Sequence, residues 1–384
     1  MSVYVWNTFC PTLFGTGALK ETGKKAKELG MHRVMVCTEK ALCDFKVATQ
    51  VIDVLKEEEL EVFVFDKCKA DAPSDICDEG AAFVREHGID GIVAVGGGST
   101  LDTAKAVGII ISQHGTTIRD YYHIEEDAHE MKLITLNTTS GTGSELSQWA
   151  VIGDVVTGAK EMPVYKPDLA IVDPALTYSV PAGTTAATGM DVLAHCVEAI
   201  TNRNHNPYGY IFGKEGIRLT MRWLSAAVRE PKNATAREQM SLAANLGGMA
   251  ISACGCQIGH SFAQTFGAMH HIPHGLGCAW GLPGVMIYTA KYGERSNLEI
   301  VAEAMDVSFD EHTDTMQLAK KLAQKVTDLM RELNIKSIKD SGYTLEDCME
   351  SAERFMHDGA FGNSPGNPRM EEIKEYISDT YSMY

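Results

Sequence analysis

The sequence predicts an α/β domain built on a parallel sheet, followed by an all-helical domain. Two observations carry this prediction: short apolar strands alternate with helical segments up to about residue 173, and only helical periodicity follows Pro181. The chain of 384 residues also exceeds the size at which a single hydrophobic core stops growing. We therefore expect an α/β domain over residues 1–180 and a helical domain over residues 181–384.

The first domain is expected to bury its sheet on both faces. Its strands are nearly continuous apolar runs, which is typical of parallel sheets covered by helices on each side. Strands are predicted at 33–38, 61–65, 91–95 and 133–136, with a further apolar run at 170–173, and helices at 18–29, 47–60, 74–87 and 101–112.

The second domain shows apolar residues at helical spacing and no clear strand alternation. Helices are predicted at 186–201, 208–230, 236–253, 276–290, 298–305, 315–333 and 345–356.

Composition excludes several classes of partner. The formal net charge of −17 disfavours nucleic acid and anionic membrane surfaces. No apolar run approaches the roughly 20 residues that span a bilayer, and the N-terminus lacks the basic region of a signal peptide. The ten cysteines are scattered without a Cys-x-x-Cys pair, which indicates reduced thiols and a cytoplasmic location.

Two glycine-bearing loops follow predicted strands. Gly97, Gly98 and Ser99 connect a strand to a helix, where backbone amides and the helix N-terminus favour a pyrophosphate. The loop is neither Gly-x-Gly-x-x-Gly nor a Walker A motif, and a plain turn capped by Ser99 is the alternative. A second polar loop covers residues 137–145. Two loops at strand C-terminal ends are typical of a ligand site in an open parallel sheet.

Glu39 stands just past the strand that ends at Thr38. A carboxylate there can accept hydrogen bonds from an adenosine ribose and repel a 2′-phosphate, which favours NAD over NADP. An exposed loop glutamate is an equally good interpretation of this position.

The strongest cluster of chemistry lies in the helical half. Asp191 and His195 are four residues apart on a predicted helix and share a face. His260 and His274 flank a segment with glycine and proline that can turn the chain. One carboxylate and three imidazoles suit Fe(II) or Zn(II) and leave room for a substrate oxygen. Partly exposed histidines near a turn are the alternative.

With these motifs the chain resembles the iron-containing (group III) alcohol dehydrogenase family. The similarity runs over nearly the whole length and includes Gly96-Gly-Gly-Ser-Thr-Leu-Asp-Thr-Ala-Lys105, Thr138-Thr-Ser-Gly-Thr-Gly-Ser-Glu145 and Gly189-Met-Asp-Val-Leu-Ala-His195. It implies a dehydroquinate synthase-like architecture, a metal in the cleft between the domains, and a homodimer or larger assembly. Asp191, His195, His260 and His274 are the implied ligands.

The resemblance also implies the cofactor contacts. The pyrophosphate is expected beside the first loop, the rest of the cofactor beside the second, and the ribose near a lysine further along. The implied residues are Gly97, Gly98, Ser99, Asp102, Thr138, Thr139, Thr142 and Lys160.

Gln264 departs from the family pattern. Many relatives have a histidine four residues after the third metal ligand, and a glutamine cannot shuttle protons. His270, His271, water or a ribose hydroxyl are the candidate substitutes.

The resulting prediction is a metal-dependent oxidoreductase that interconverts a small alcohol and its aldehyde or ketone with NAD(H), with Fe(II) favoured over Zn(II). The metal would act as a Lewis acid, and hydride would pass to the nicotinamide. A sugar- or polyol-phosphate dehydrogenase or cyclase of the same fold is the alternative. It needs clustered cations, which are absent from the sequence of residues 186–200 and 255–285. A cofactor-binding subunit without activity is a third hypothesis.

Overall fold

A computed structural model describes residues 10–124 and 129–384. The chain divides into two compact units. The α/β unit contains the described part of residues 10–139 together with Gly143–Ser179, and the helical unit contains Ser140–Thr142 and Val180–Tyr384.

The α/β unit is centred on a parallel sheet of six strands and carries a small antiparallel hairpin, β6–β7. Its strands are β1 (Thr12–Phe14), β2 (Arg33–Cys37), β3 (Glu61–Phe65), β4 (Gly91–Gly96), β5 (Lys132–Asn137), β6 (Ile152–Gly153), β7 (Lys160–Glu161) and β8 (Leu169–Val172). Every residue of β4 and β8 is buried. This burial explains why their sequences are continuous apolar runs rather than alternating ones.

The strand order places a switch in the middle of the sheet. The order is β1-β8-β5-β4-β2-β3, so the chain moves from β2 to β3 on one side and then returns to β4 on the other side of β2. In open parallel sheets, ligands bind at the carboxyl ends of the strands where such a reversal occurs. The carboxyl ends of β2 and β4 are therefore the expected ligand edge.

Helices cover both faces of this sheet and bury two separate apolar clusters against it. They are α1 (Thr22–Glu28), α2 (Lys40–Asp44), α3 (Val47–Glu57), α4 (Ser74–His87) and α5 (Gly98–Ser112). α5 is buried along most of its length, because it follows the central strand β4 directly.

The helical unit has its own large apolar core. Its helices are α6 (Ala182–Thr201), α7 (Pro207–Arg229), α8 (Ala234–Cys254), α9 (Ile258–His270), α10 (His274–Tyr292), α11 (Arg295–Met305), α12 (Thr315–Glu332), α13 (Leu345–Met349), α14 (Ala352–Phe355) and α15 (Met370–Ser382). α6 and α10 are buried on nearly all sides, and they carry most of the predicted metal ligands.

The predicted α/β and helical architecture is confirmed, with local errors. The single helix predicted at 345–356 is wrong, because the structure contains α13 and α14 instead. The Ser351 hydroxyl donates to the carbonyl of Cys348 at 2.6 Å, and such a bond competes with the helix backbone. The helix predicted from residue 101 begins at Gly98, and β1 and α15 were not predicted.

Among the described helices, none combines the length and the apolar character that crossing a membrane requires.

Candidate functional site

Three helices supply the predicted metal ligands. Asp191 and His195 lie one turn apart on α6, His260 lies in the first turn of α9, and His274 is the first residue of α10. α9 ends at His270, the next residue His271 has a left-handed φ of 53°, and Pro273 precedes α10. This tight turn returns the chain so that His260 and His274 approach the same point.

Close helix packing fixes these positions. A Cβ atom at Gly275 would overlap with the carbonyl oxygen of Ala187 on α6, so α6 and α10 meet backbone to backbone beside His274. A Cβ at Gly259 would lie 2.5 Å from Glu198 Oε1, so α9 also depends on a glycine next to its histidine. Glycine is therefore required at both positions for the helices to approach.

The three predicted histidine ligands converge on one carboxylate oxygen of the fourth, Asp191. Asp191 Oδ1 lies 3.5 Å from His195 Nε2, 3.5 Å from His260 Nε2 and 3.6 Å from His274 Nε2. These separations exceed the usual 2.7–3.2 Å of an N–H···O hydrogen bond. They match the roughly 3.3–3.5 Å between donors that share a metal at 2.0–2.1 Å.

Asp191 Oδ1 is buried and has no hydrogen-bond partner among the described residues. An orphaned carboxylate oxygen is costly inside a protein, and three facing imidazoles without a cation do not remove that cost. A divalent cation accepting all four donors would do so. The residues present therefore fit a metal ion.

The electrostatics of Asp191 and His195 also suit a cation. Burial raises the pKa of the Asp191 carboxyl, but the neighbouring imidazoles of His195 and His274 outweigh it and hold that pKa below its ordinary value. Burial lowers the pKa of His195 to about 3, so this imidazole is neutral at pH 7. An ionised carboxylate and a neutral imidazole are the forms that bind metals.

Access to the cluster is on the side of His274. The His274 side chain is 37% exposed, whereas those of Asp191, His195 and His260 are at most 5% exposed. A partly exposed donor beside three buried ones would leave room for a substrate oxygen if a metal bound here.

Glu198, which was not predicted from the sequence, is a candidate positioning residue for this cluster. Its fully buried carboxylate accepts hydrogen bonds from His260 Nδ1 at 2.8 Å and from the Gln257 backbone amide at 2.6 Å. A proton on Nδ1 leaves Nε2 with its lone pair directed at Asp191, which is the arrangement that orients metal-binding histidines. Glu198 lies three residues after His195 on α6, so its spacing was a usable signal.

Gln264 and His270 occupy different parts of α9. Gln264 is partly exposed and lies one turn after His260 on the same helix, as expected. His270 is ten residues after His260, about 15 Å along the helix axis. Its ring packs against Phe266 and Tyr343, with centroids 4.6 Å and 5.1 Å apart. The structure does not bring His270 to the metal cluster.

The predicted cofactor residues that follow β2 and β4 lie at the switch edge of the sheet. Gly97, Gly98 and Ser99 follow β4, and Glu39 follows β2, its hydrogen-bonded neighbour. The Thr38 hydroxyl donates to the Val95 carbonyl at 2.8 Å and holds these two strand ends together. Burial raises the pKa of Glu39. The predicted pyrophosphate and ribose residues are therefore neighbours.

Lys160 is joined to the same edge through Asp71. Its Nζ lies 2.6 Å from Asp71 Oδ1, and the Asp71 backbone amide donates to Ser99 Oγ at 3.1 Å. Asp71 has a φ of 66°, and its carbonyl accepts from the Gly153 amide. Asp71 carried no sequence signal, because its partners are 28 or more residues away.

Asp102 lies deeper than its neighbours in the first loop. Its carboxylate accepts a hydrogen bond from Ser144 Oγ at 2.6 Å and lies 3.7 Å from Lys105 Nζ. Lys105 is fully buried and also donates to Ser144 Oγ at 2.8 Å and to the Trp149 carbonyl at 2.7 Å. Burial raises the pKa of Asp102 and lowers that of Lys105.

The threonines of the second loop are divided between the units. Thr138 donates its backbone amide to the Gly96 carbonyl at 2.9 Å, and Thr139 lies beside Gly97, so both adjoin the first loop. Thr142 groups with the helical unit instead, in which the hydroxyls of Ser140 and Ser241 are 3.1 Å apart.

Comparison with known protein families identifies the family of this chain. Residues 11–174 match the family described as "Iron-containing alcohol dehydrogenase", and residues 185–381 match "Fe-containing alcohol dehydrogenase family, C-terminal". The chain belongs to the iron-containing alcohol dehydrogenase family. It is therefore an NAD(H)-linked oxidoreductase that interconverts alcohols and carbonyl compounds, and iron is the metal of its family.

Individual relatives of this alcohol dehydrogenase align over nearly their whole length. The chain is 31% identical to choline dehydrogenase of Bacillus subtilis (strain 168), covering 98% of this chain and 94% of the relative. It is 32% identical to 1,3-propanediol dehydrogenase of Klebsiella pneumoniae, covering 98% of each. A crystal structure of 1,3-propanediol oxidoreductase superposes with a TM-score of 0.92 at 29% identity, covering 99% of this chain and 100% of the other.

Proposed function

We propose that this alcohol dehydrogenase acts at a metal held by Asp191, His195, His260 and His274, with Fe(II) as the metal and Zn(II) as a competing ion. The observation that carries the proposal is the convergence of three imidazoles on the orphaned Asp191 Oδ1, at 3.5–3.6 Å. When bound, the metal supplies Lewis-acid polarisation of the substrate oxygen, while the nicotinamide supplies hydride transfer.

The protein residues hold and orient these groups. His195, His260 and Asp191 fix the buried side of the site, and the partly exposed His274 borders the side open to substrate. Glu198 keeps the proton of His260 on Nδ1 through its 2.8 Å hydrogen bond. Gln264 can hydrogen-bond to substrate or cofactor but cannot exchange a proton at neutral pH. The substrate proton would then leave through water, a ribose hydroxyl or His271, since His270 lies away from the cluster.

NAD(H) is proposed to bind the α/β domain, residues 1–180, at its switch edge. The strand order supports this placement, because Glu39 and the loop after β4 stand at the carboxyl ends of adjacent strands. The ionised Glu39 would receive the ribose hydroxyls and disfavour a 2′-phosphate. The remaining contacts are assigned to Gly97, Gly98, Ser99, Asp102, Thr138, Thr139, Thr142 and Lys160. Since Asp102 is paired internally, it would act by positioning the loop.

The proposed substrate is a small, uncharged alcohol and its aldehyde or ketone. Relatives named for 1,3-propanediol support this size class. The sequence of residues 182–201 and 255–290, which supplies all four donors, contains no lysine or arginine. A phosphorylated sugar or polyol would need such cations.

The proposed protein is a homo-oligomer, a dimer at least, in the cytoplasm. The family resemblance supports the assembly, and the ten cysteines, all free thiols in the structure, support a reducing compartment. Light scattering of the purified protein measures the first property directly.

The decisive experiment is a chelation series with an alcohol panel. NADH formation is measured with ethanol, 1-propanol, 1,3-propanediol and choline, before chelation, after chelation, and after Fe²⁺ is restored anaerobically. We expect activity with the uncharged alcohols that is lost on chelation and recovered with Fe²⁺. Activity that survives complete metal removal would refute the proposal.

A further inference from the structure

A thiol faces the metal cluster from the helix that carries His274. Cys278 lies one turn after His274 on α10, and its side chain is completely buried. Its Sγ lies 3.5 Å from His274 Nε2 and 3.7 Å from His260 Nε2. The same two nitrogens lie 3.6 Å and 3.5 Å from Asp191 Oδ1. The two imidazoles therefore stand between a thiol and a carboxylate.

These four atoms have the spacing of a four-coordinate site. Donors on a tetrahedral metal, with bonds of 2.0–2.3 Å, are separated from one another by roughly 3.3–3.7 Å. The four separations above fall in this interval, and all four donor atoms lie within 4.8 Å of one another. A weak S–H···N hydrogen bond also tolerates these distances, but it would leave Asp191 Oδ1 without a partner.

We propose that Cys278 is a further metal donor and that the site has two sets of ligands. Fe²⁺ is held by Asp191 and the three histidines, whereas Zn²⁺ is held by Asp191, His260, His274 and Cys278. This inference rests on the metal site proposed above. As the Sγ–metal bond forms, the thiol releases its proton to solvent, because the thiolate is the ligand.

The two ligand sets differ in the softness of their donor atoms, and the two metals differ in the coordination positions they leave open. A thiolate favours Zn²⁺ over ions that prefer oxygen ligands, such as Mn²⁺. Both sets supply four protein ligands, but Zn²⁺ with four protein ligands is tetrahedral and closed, as in structural zinc centres, whereas Fe(II) sites keep open positions beside their protein ligands. Cys278 therefore makes Zn²⁺ an inhibitory occupant of this site.

Cobalt(II) is the probe that distinguishes a sulfur ligand, because a Co–thiolate bond gives a charge-transfer band in the near ultraviolet. Metal-free full-length protein is titrated with Co²⁺ as wild type, Cys278→Ser, Cys278→Ala and Cys256→Ser. Cys256 is the matched control, since its thiol groups with His195 and His260 and not with Asp191 and His274. Circular dichroism verifies that each variant is folded.

We expect the near-ultraviolet band in the wild type and Cys256→Ser, and its loss in both Cys278 variants. In competition titrations, Cys278→Ser should weaken Zn²⁺ binding at least about tenfold and change Mn²⁺ binding less than about threefold. One Co²⁺ per chain without the band in the wild type would overturn this inference and leave the metal site standing. A band that persists in the folded Cys278 variants, or equal losses for both ions, would also overturn it. Absence of Co²⁺ binding would refute both proposals together.

Discussion

Each unit of the chain buries a carboxylate, Asp102 in the α/β unit and Asp191 in the helical unit, and the two differ in how their oxygens are satisfied. Asp102 accepts from Ser144 Oγ and faces the buried ammonium of Lys105, which has its own hydrogen-bond partners. Asp191 Oδ1 faces three imidazole nitrogens at distances too long for good hydrogen bonds. The first network is complete within the protein, whereas the second leaves Asp191 Oδ1 without a hydrogen-bond partner among the described residues.

This difference separates a structural ion pair from a ligand site. Both clusters are buried and both contain shifted pKa values, so neither burial nor titration distinguishes them. The two clusters are distinguished by Asp191 Oδ1, which has no hydrogen-bond partner among the described residues. Breaking the complete network should lower the stability of the protein, and breaking the incomplete one should remove the metal.

The largest effect is expected at His260. The His260→Ala variant should lose its metal and at least about 10³-fold in kcat/KM, because Lewis-acid polarisation contributes several kcal/mol. Metal content by elemental analysis and NADH formation are measured on the same samples. His312→Ala removes an exposed histidine, 85% exposed, and serves as the control. Full metal occupancy in His260→Ala would contradict the assignment.

The complementary substitution removes the Lys105 side of the buried ion pair with Asp102. The Lys105→Met variant leaves Asp102 buried without its cation, so we expect a loss of about 3–5 kcal/mol in the free energy of unfolding. Denaturant unfolding measures this loss, and Lys24→Met, on the exposed face of α1, should change it by less than about 0.5 kcal/mol. The folded Lys105→Met protein should keep its metal. An unchanged unfolding midpoint would show that the ion pair contributes nothing.

A substitution at Glu198 tests whether its hydrogen bond orients the His260 ring. In Glu198→Gln the His260 Nδ1 proton loses its charged acceptor, so metal affinity should fall about 10–100-fold while the ligands remain. Competition with a calibrated chelator measures the affinity. Glu332→Gln changes an exposed glutamate on α12 and is the control. Equal affinities for wild type and Glu198→Gln would exclude an orienting role.

Glu39 is a third carboxylate, at the carboxyl end of β2, and it tests the preference for NAD(H) over NADP(H). We expect the wild type to prefer NAD(H), because Glu39 would meet the 2′-phosphate of NADP with like charge. Glu39→Gly should lower the ratio of kcat/KM with NAD(H) to kcat/KM with NADP(H) about tenfold. It should leave the metal content unchanged. Equal use of NADH and NADPH by the wild type would refute this role.

The smallest effect is expected at Gln264. Since glutamine gives no acid–base help, Gln264→Ala should lower kcat about tenfold or less, far below the loss at a metal ligand. Gln264→His should remain active with an altered dependence of kcat on pH. Both are measured at saturating cofactor. A fall of Gln264→Ala to the metal-free background, with metal and fold intact, would show the glutamine to be essential.

The sheet and the helices could be predicted wherever burial fixes the pattern. β4 and β8 are fully buried, so their apolar runs could only be central strands. β1 was missed because it has three residues, two of them exposed, at the edge of the sheet. α15 carried a signal that was overlooked, since Ile373, Tyr376, Ile377 and Thr380 are buried at helical spacing.

The candidate metal ligands could be named from the sequence because their residue types are chemically distinctive and two of them share one helical turn. The partners that complete the site were harder to recognise. The sequence does not reveal whether a glutamate such as Glu198 is buried or exposed. Asp71 makes its contacts with residues far from it in the sequence. Cys278 stands one turn from His274, but only the fold shows that its sulfur faces His260 as well.

The close approach at Gly275 has a consequence for protein engineering. Any side chain at residue 275 would press α10 away from the Ala187 carbonyl on α6, and with it His274 away from Asp191. The donor atoms themselves would be unchanged. Substitutions at residue 275 would therefore change the spacing of the proposed metal donors, and with it the size of ion that fits, without replacing any proposed ligand.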